Sequence, residues 1–324
     1  MIEALCVERL RGLEKACISG FRRFTVISGG NGTGKSTFLE AIYMASALMR
    51  GFDDLRGVGK LDYLVSRRGG RGKWDDSRHV LWHRMATSAP ISLSLWISGT
   101  RYDFSVTYNS PASSPVYVWL NTGDGLVNYE VSKMILRGSG EEVVYRKQPE
   151  PSLSLLSSMV FVDQQLLQTP ERVEKTCWPK LIASRLDKRI TAFLRSSLMT
   201  DAEGLTYAPL GDGYSLFIQT SKTSIRLEDA GEGVKNSVLL YMLILALKPK
   251  LLLLDDPEFG MDPDTIYAFG RLLAEVSKET DTQTIIATRS LELLEITEAL
   301  RTEAGKEVAA ILLEKVQKPR EGFS

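Results

Sequence analysis

Apolar and polar positions change period along the chain, and those changes divide it. Near the N-terminus "LCVERLRG" and "FTVIS" are short runs of β type, and the second leads straight into a glycine-rich turn. Over residues 36–50 the apolar side chains Phe38, Leu39, Ile42, Ala45 and Met49 recur at helical spacing, with Gly51 placed to cap the helix. Residues 51–84 are rich in Gly, Arg and Asp ("RGVGK", "SRRGGRGKWDD") and read as an irregular, exposed connection. Residues 91–146 alternate apolar and polar ("ISLSLWISG", "RYDFSVTY", "VYVWL", "NYEVSKMIL", "EEVVYRK"), which predicts an antiparallel subdomain of hairpins. "QPEPS" breaks the pattern, and "SMVFVD" is a further strand. Residues 179–198 are helical, and "YAPLGDGYSLFIQTSKTSIRL" holds strands around a GDG turn. From Gly231 onward helix and strand alternate three times, the order of a parallel sheet, and Asp262 with Pro263 supplies an N-cap and first helical residue.

Composition adds bounds. The chain has 324 residues, 44% hydrophobic and 25% charged, with formal net charge zero, so strong global attraction to nucleic acid or anionic membrane is not expected. The start, "MIEALCVERLRG", lacks the basic and apolar regions of a secretory leader. The longest apolar run, "SVLLYMLILAL" with "KPK" and "LLLL" after it, is too interrupted to span a bilayer. These features predict a cytoplasmic protein with no membrane segment. Cys6, Cys17 and Cys177 show no CxxC spacing and are expected to be buried thiols in a reducing compartment. His79 and His83, the two histidines, flank a run that reads as the approach to a strand, so a metal role for them is disfavoured. Arg67, Arg68, Arg71 and Lys73 read as a solvated loop rather than a phosphate-contacting patch, because Asp75 and Asp76 follow at once.

Chemistry concentrates in two places. Gly29, Gly30, Asn31, Gly32, Thr33, Gly34, Lys35 and Ser36 satisfy GxxxxGK[ST], with a strand before and a helix after. Glycines let backbone N–H groups turn inward around phosphate oxygens, and the helix start points its positive end at them. Lys35 is then expected to bridge β- and γ-phosphates, Ser36 to ligate Mg²⁺, and Thr37 to lie nearby. "LLLLDDPEFGMDP" is a buried strand ending in paired carboxylates. Asp255 is placed to hold the Mg²⁺ shell and Asp256 to polarise a water.

These two motifs, "GMDP" and "TIIATRSLELLE" resemble the ABC-type ATPases, and more narrowly the SMC/RecF-like branch with its OLD-like and related AAA-family ATPases. "LEDAGEGVKNSVLLYMLIL" is similar to the signature segment of that branch. The resemblance implies an α/β P-loop fold with a parallel core sheet, an antiparallel β subdomain and a helical segment. It places Walker A and the β subdomain in a lobe of residues 1–165, and signature, Walker B, D-loop and switch in residues 166–324. It implies that Gln164 (or its neighbour Gln165) senses Mg²⁺ and γ-phosphate. It implies that Gly231 and Gly233 meet the γ-phosphate of a second subunit's ATP, and that residues 260–262 form the D-loop. Three positions depart from the pattern. Asp256 stands where the family has glutamate, with Glu258 a substitute; Arg289 replaces the switch histidine; Asp229 replaces the signature serine.

The resemblance thus implies an ATP- and Mg²⁺-dependent ATPase that dimerises on ATP and drives or gates a protein partner. Its hydrolysis is expected to be slow, catalysed by Asp256, Glu258 and Arg289. Genome defence or DNA repair, with DNA as a ligand, is what the resemblance suggests. Heptad runs that would form coiled-coil arms are not seen, and the chain is expected to be too short for an appended nuclease domain. The alternative is a non-hydrolysing ATP-binding scaffold. A transporter engine, a small-molecule kinase and a GTPase fit less well.

Overall fold

A computed structural model of the chain describes residues 1–47, 49–108, 121–122, 131–137, 140–145, 153–304 and 307–315. The run of β type expected at 116–120 and the break expected at 148–152 lie outside these residues. The organising element is a five-stranded sheet of β3 (Phe24–Gly29), β11 (Met159–Val162), β15 (Leu251–Asp255), β16 (Gln283–Ala287) and β17 (Val308–Leu313). The spatial order is β11-β15-β16-β3-β17, and every pair is parallel. The four leucines of β15 explain themselves here. Leu251 and Leu253 pack in a cluster with Phe38 and Ile42 of α1 (Lys35–Ala47). Leu252 and Leu254 pack on the other face with Leu240 and Ile244 of α8 (Glu232–Leu247). A strand covered on both faces shows no alternation. Helices α9 (Pro263–Glu279) and α10 (Leu291–Ala304) contribute Phe269, Leu273 and Ile296 to the second face.

Antiparallel sheets flank this core. β1 (Ile2–Leu10), β2 (Leu13–Ser19), β6 (Ile91–Ile97), β7 (Thr100–Val106) and β8 (Asn121–Thr122) lie in the order β2-β1-β6-β7-β8. Their inward residues Leu5, Val7, Leu93, Leu95 and Phe104 close over α1. β9 (Val131–Arg137) pairs with β10 (Gly140–Tyr145). β12 (Ala202–Leu210), β13 (Gly213–Thr220) and β14 (Ser224–Arg226) form a meander, with α6 (Pro170–Ala183) against β13 and α7 (Asp187–Ser197) against β12. The fold is thus α/β, a parallel P-loop core with antiparallel sheets, as expected. No helix among the described residues is long and apolar enough to cross a membrane.

Several local expectations are corrected. Helix α1 ends at Ala47, so Gly51 does not cap it; the Gly51 carbonyl accepts instead from the Lys60 amide at 2.7 Å. Residues 51–84 are ordered, with β4 (Phe52–Asp53), β5 (Val58–Gly59), α2 (Lys60–Ser66) and α3 (Trp74–Ser77). Arg67 is not part of a solvated loop, because it pairs with Glu40, Asp163 and Asp255, all distant in sequence; the Arg56 and Arg67 side chains are only 6% and 9% exposed. His79 and His83 sit on 3₁₀ turns rather than on the approach to a strand, and His83 Nδ1 is 2.9 Å from the Arg11 carbonyl oxygen. Helix α6 starts at Pro170 and carries Pro179 inside it, so the helical region begins before residue 179. Cys6 and Cys17 face each other across β1 and β2 and are joined as a disulfide; only Cys177 is a free, buried thiol. That pairing depends on strand register, which the cysteine spacing did not disclose. Short helices α4 (Ser154–Ser157) and α5 (Gln164–Leu167) bracket β11.

Candidate functional site: a phosphate loop facing buried carboxylates

Because the core strands are parallel, their C-terminal ends share one edge, where ligands of such sheets bind. Four of those ends meet in one place. β3 gives way to the glycine loop, β11 to Asp163, β15 to Asp255 and Asp256, and β16 to Thr288 and Arg289. A cavity of about 300 Å³ lies between them, with Ser36, Arg67, Gln164, Asp255, Asp256 and Arg289 in its wall.

The loop geometry follows from its glycines. Gly29 has φ +149°, and a Cβ there would run into the Leu313 carbonyl oxygen of the neighbouring strand, so only glycine fits. Lys35 folds back, its Nζ donating to the carbonyls of Gly29 at 2.6 Å and Gly30 at 3.1 Å. Burial pulls the Lys35 pKa down, with Asp256 opposing. Thr33 Oγ1 donates to the Gly30 carbonyl at 2.9 Å, and Gly34 accepts from the Phe38 amide at 3.0 Å as α1 begins. Asn31 and Gly32 form an exposed rim, and Thr37 is buried beneath it, within 3.4 Å of Arg68 Nη2. Ser36 Oγ donates to Asp255 Oδ1 at 2.9 Å, joining residues 219 positions apart.

Asp255 is buried, and burial pushes its carboxyl upward against the pull of Arg67 and Ser36. Arg67 is the hub. Its Nη2 is paired with Asp255 Oδ2, its Nη1 donates to Glu40 Oε1 at 2.6 Å and its Nε to Asp163 Oδ2 at 2.7 Å. Asp163 also receives Arg56 Nη2 at 2.9 Å and the Tyr63 hydroxyl, and it caps α5 through the Leu166 amide. Burial pushes the Asp163 carboxyl up, but Arg56 and Arg67 hold it below its ordinary value. In the sequence Arg67 reads as part of a solvated loop, and Glu40 and Asp163 carry no role. One signal was present: Glu40 interrupts the apolar face of α1 at "FLEAI".

Asp256 has φ +48°, a left-handed conformation that costs a non-glycine residue about 1–3 kcal/mol. Its amide donates to the Ala287 carbonyl at 2.8 Å, and its carboxylate accepts from Arg289 Nη2 at 2.8 Å. Arg289 Nη1 also reaches Asn31 Oδ1 at 3.5 Å. Glu258 is buried. Its Oε1 accepts from Thr288 Oγ1, its Oε2 has no partner, and burial raises its pKa. Gln164 lines the cavity, while exposed Gln165 donates Nε2 to the Arg67 carbonyl at 3.2 Å.

Gly231 and Gly233 lie elsewhere. Gly231 is the N-cap of α8, Gly233 packs near Thr265 and Met261, and Gly260 backs onto Glu232. Asp229 is exposed and held by Arg226 at 3.0 and 3.1 Å, which compensates its charge. Among the described residues no group of three or more His, Cys, Asp or Glu could hold a metal. The donors that Ser36 and Asp255 offer are two oxygens, a set that suits Mg²⁺ completed by water and phosphate oxygens.

Comparisons with known proteins bear on the family and the fold. Residues 154–295 match the family described as "AAA domain, putative AbiEii toxin, Type IV TA system"; the glycine loop lies outside the matched span. No curated protein matches the chain in sequence. The chain is similar to the SMC head domain from Thermotoga maritima, at 14% identity and TM-score 0.50, covering 91% of each chain. It is similar to an SMC head bound to the C-winged helix domain of ScpA, at 15% identity and TM-score 0.56, covering 91% of this chain and 92% of that one. A third is the SMC head domain with an extended coiled coil bound to the C-terminal domain of ScpA from Pyrococcus furiosus, at 14% identity and TM-score 0.53, covering 91% of each chain. Residues 154–295 thus match an AAA-domain family, and the chain shares the α/β P-loop fold of SMC head domains.

Proposed function

We propose that this chain binds ATP with Mg²⁺ and hydrolyses it slowly, in a site completed by a second copy of itself. The observation that carries the reading is the bond from Ser36 Oγ to Asp255 Oδ1, which brings the loop serine and a buried strand-end carboxylate together. Ser36 and Asp255 would hold Mg²⁺, which supplies charge neutralisation on the phosphates. Lys35 would leave the Gly29 and Gly30 carbonyls for the β- and γ-phosphates, with loop amides and Thr37 around them. Gln164 would sense the γ-phosphate from the cavity wall. Asp256 would polarise the attacking water, with Glu258 behind it, once Arg289 swings from Asp256 to the transferring phosphoryl group. Gly231 and Gly233, placed away from this cavity, suit contact with a partner's nucleotide in a two-fold dimer.

The proposal extends to two lobes, residues 1–165 and 166–324, to a cytoplasmic setting, and to a protein partner gated by closure. The SMC heads seen with ScpA domains offer an analogy for such a partner. A role on DNA in repair or defence follows from the family resemblance of the sequence motifs. The second reading, a non-hydrolysing scaffold, is favoured by the Arg289–Asp256 pair, which occupies the carboxylate that hydrolysis needs.

Phosphate release by wild-type protein, compared with Lys35→Ala and Asp256→Asn, separates the two readings. Turnover that exceeds both variants supports hydrolysis. Turnover equal to that of Lys35→Ala leaves the scaffold. Light scattering of Asp256→Asn with Mg²⁺ and ATP tests the dimer: the mass should double, and an unchanged mass would remove the composite site.

A further inference from the structure

A second cavity, of about 350 Å³, opens at the opposite edge of the central sheet. Its wall includes the first residues of β11, Met159 and Val160, and Pro249 just before β15, so it lies at the N-terminal ends of strands whose other ends carry the nucleotide site. Phe52, Leu55 and Leu247 make part of the wall apolar, Thr176 and Ser157 add hydroxyls, and Lys60 and exposed Lys180 add positive charge.

Lys60 is the feature that demands an explanation. It is 3% exposed, and its ammonium makes a hydrogen bond to Ser46 Oγ at 3.0 Å, with the Tyr43 ring centroid 5.5 Å away. Two of its three donors are left over. The acid beside it is already saturated. Asp53 Oδ1 accepts from the amides of Leu55 and Arg56 at 3.0 and 3.2 Å, and Oδ2 accepts from the Tyr43 hydroxyl at 2.6 Å and Arg56 Nη1 at 2.9 Å. Asp54, the second acid in the wall, is paired with Arg50. Among the described residues no carboxylate lies within ion-pair distance of Lys60. A buried ammonium with one neutral partner is costly. Burial accordingly pulls its pKa down to about 8, with Asp53 opposing.

We propose that this cavity is a binding site for a small organic anion, whose carboxylate or phosphate head is held by Lys60 and Lys180 and whose apolar body rests against Phe52, Leu55 and Leu247. The head supplies the charge and the acceptors that Lys60 lacks. The mixed wall excludes a bare inorganic ion as the best occupant, because the apolar part of the surface would then stay unfilled.

Calorimetric titration of benzoate and of phenyl phosphate into the full-length protein tests this, with Mg²⁺ and ADP present in excess to fill the glycine loop. Saturable binding is expected for one or both probes; which of them binds identifies the head. Lys60→Met keeps the length and removes the charge, and should weaken that binding roughly tenfold or more. Lys180→Met should weaken it less, since that side chain stands at the mouth. Labelling of Lys60 by an amine-reactive reagent, read by peptide mass spectrometry, gives a measurement that needs no variant: the bound probe should slow it. Failure of both probes to bind overturns the proposal. So does equal binding by Lys60→Met, or binding that leaves Lys60 labelling unchanged.

Discussion

Arg67 touches three carboxylates, but they do not depend on it equally. In Arg67→Met, Glu40 keeps Arg11 and Arg68, and Asp163 keeps Arg56 and Tyr63. Asp255 keeps only the Ser36 hydroxyl. The variant therefore leaves one buried carboxylate without a cation, and breaking a buried pair in this way costs about 3–5 kcal/mol. For a chain of this length that is a loss of roughly 4–7 °C in Tm if unfolding is two-state. The loss should be largest without nucleotide and should shrink with Mg²⁺ and ADP, because a divalent cation beside Asp255 replaces the missing charge. Thermal unfolding of both proteins, with and without Mg²⁺ and ADP, measures this. A loss below about 1 kcal/mol would refute the reasoning that Asp255 relies on Arg67. A loss that Mg²⁺ and ADP leave unchanged would refute the placement of the metal.

Other outcomes depend on single residues. Native Glu174 is buried, with Oε1 unpartnered and its pKa raised by burial to about 7, against 4.5 in an unfolded chain. Between those values the native state binds more protons than the unfolded state, so this group lowers stability as pH rises. Glu174→Gln should thus match wild type below pH 4.5 and gain up to about 3 kcal/mol above pH 7 by chemical denaturation; a gain largest at low pH would contradict this. Leu253→Ala opens a cavity between β15 and α1 and should cost about 2–5 kcal/mol, measured by urea unfolding; a cost under about 1 kcal/mol would contradict its full burial. A thiol count on denatured, unreduced protein should find Cys177 alone, and three thiols would contradict the Cys6–Cys17 bond.

The parts of the fold that were legible are those with a local cause. Strand–helix alternation announced the parallel sheet, and the glycine loop announced its own shape, since Gly29 leaves no room for a Cβ. Asp262 capping α9 through the Thr265 amide was equally readable. What escaped depends on partners distant in sequence. Arg67 looked solvated beside Asp75 and Asp76, yet its partner Asp163, which Arg56 also reaches, lies about a hundred residues on. Register joined Cys6 to Cys17, and no spacing rule supplies register. Asp229 stands in the sequence where the family has serine; Arg226, three residues before it, holds that charge in the structure.

Equilibrium binding of ATP, with and without Mg²⁺, to wild type, Lys35→Ala and Asp255→Asn tests the central claim most directly. Mg²⁺ should strengthen binding to wild type, Lys35→Ala should weaken binding under both conditions, and Asp255→Asn should abolish the Mg²⁺ effect. Affinity for ATP that neither Mg²⁺ nor Asp255→Asn alters would contradict a site in which Ser36 and Asp255 hold the metal against the phosphates.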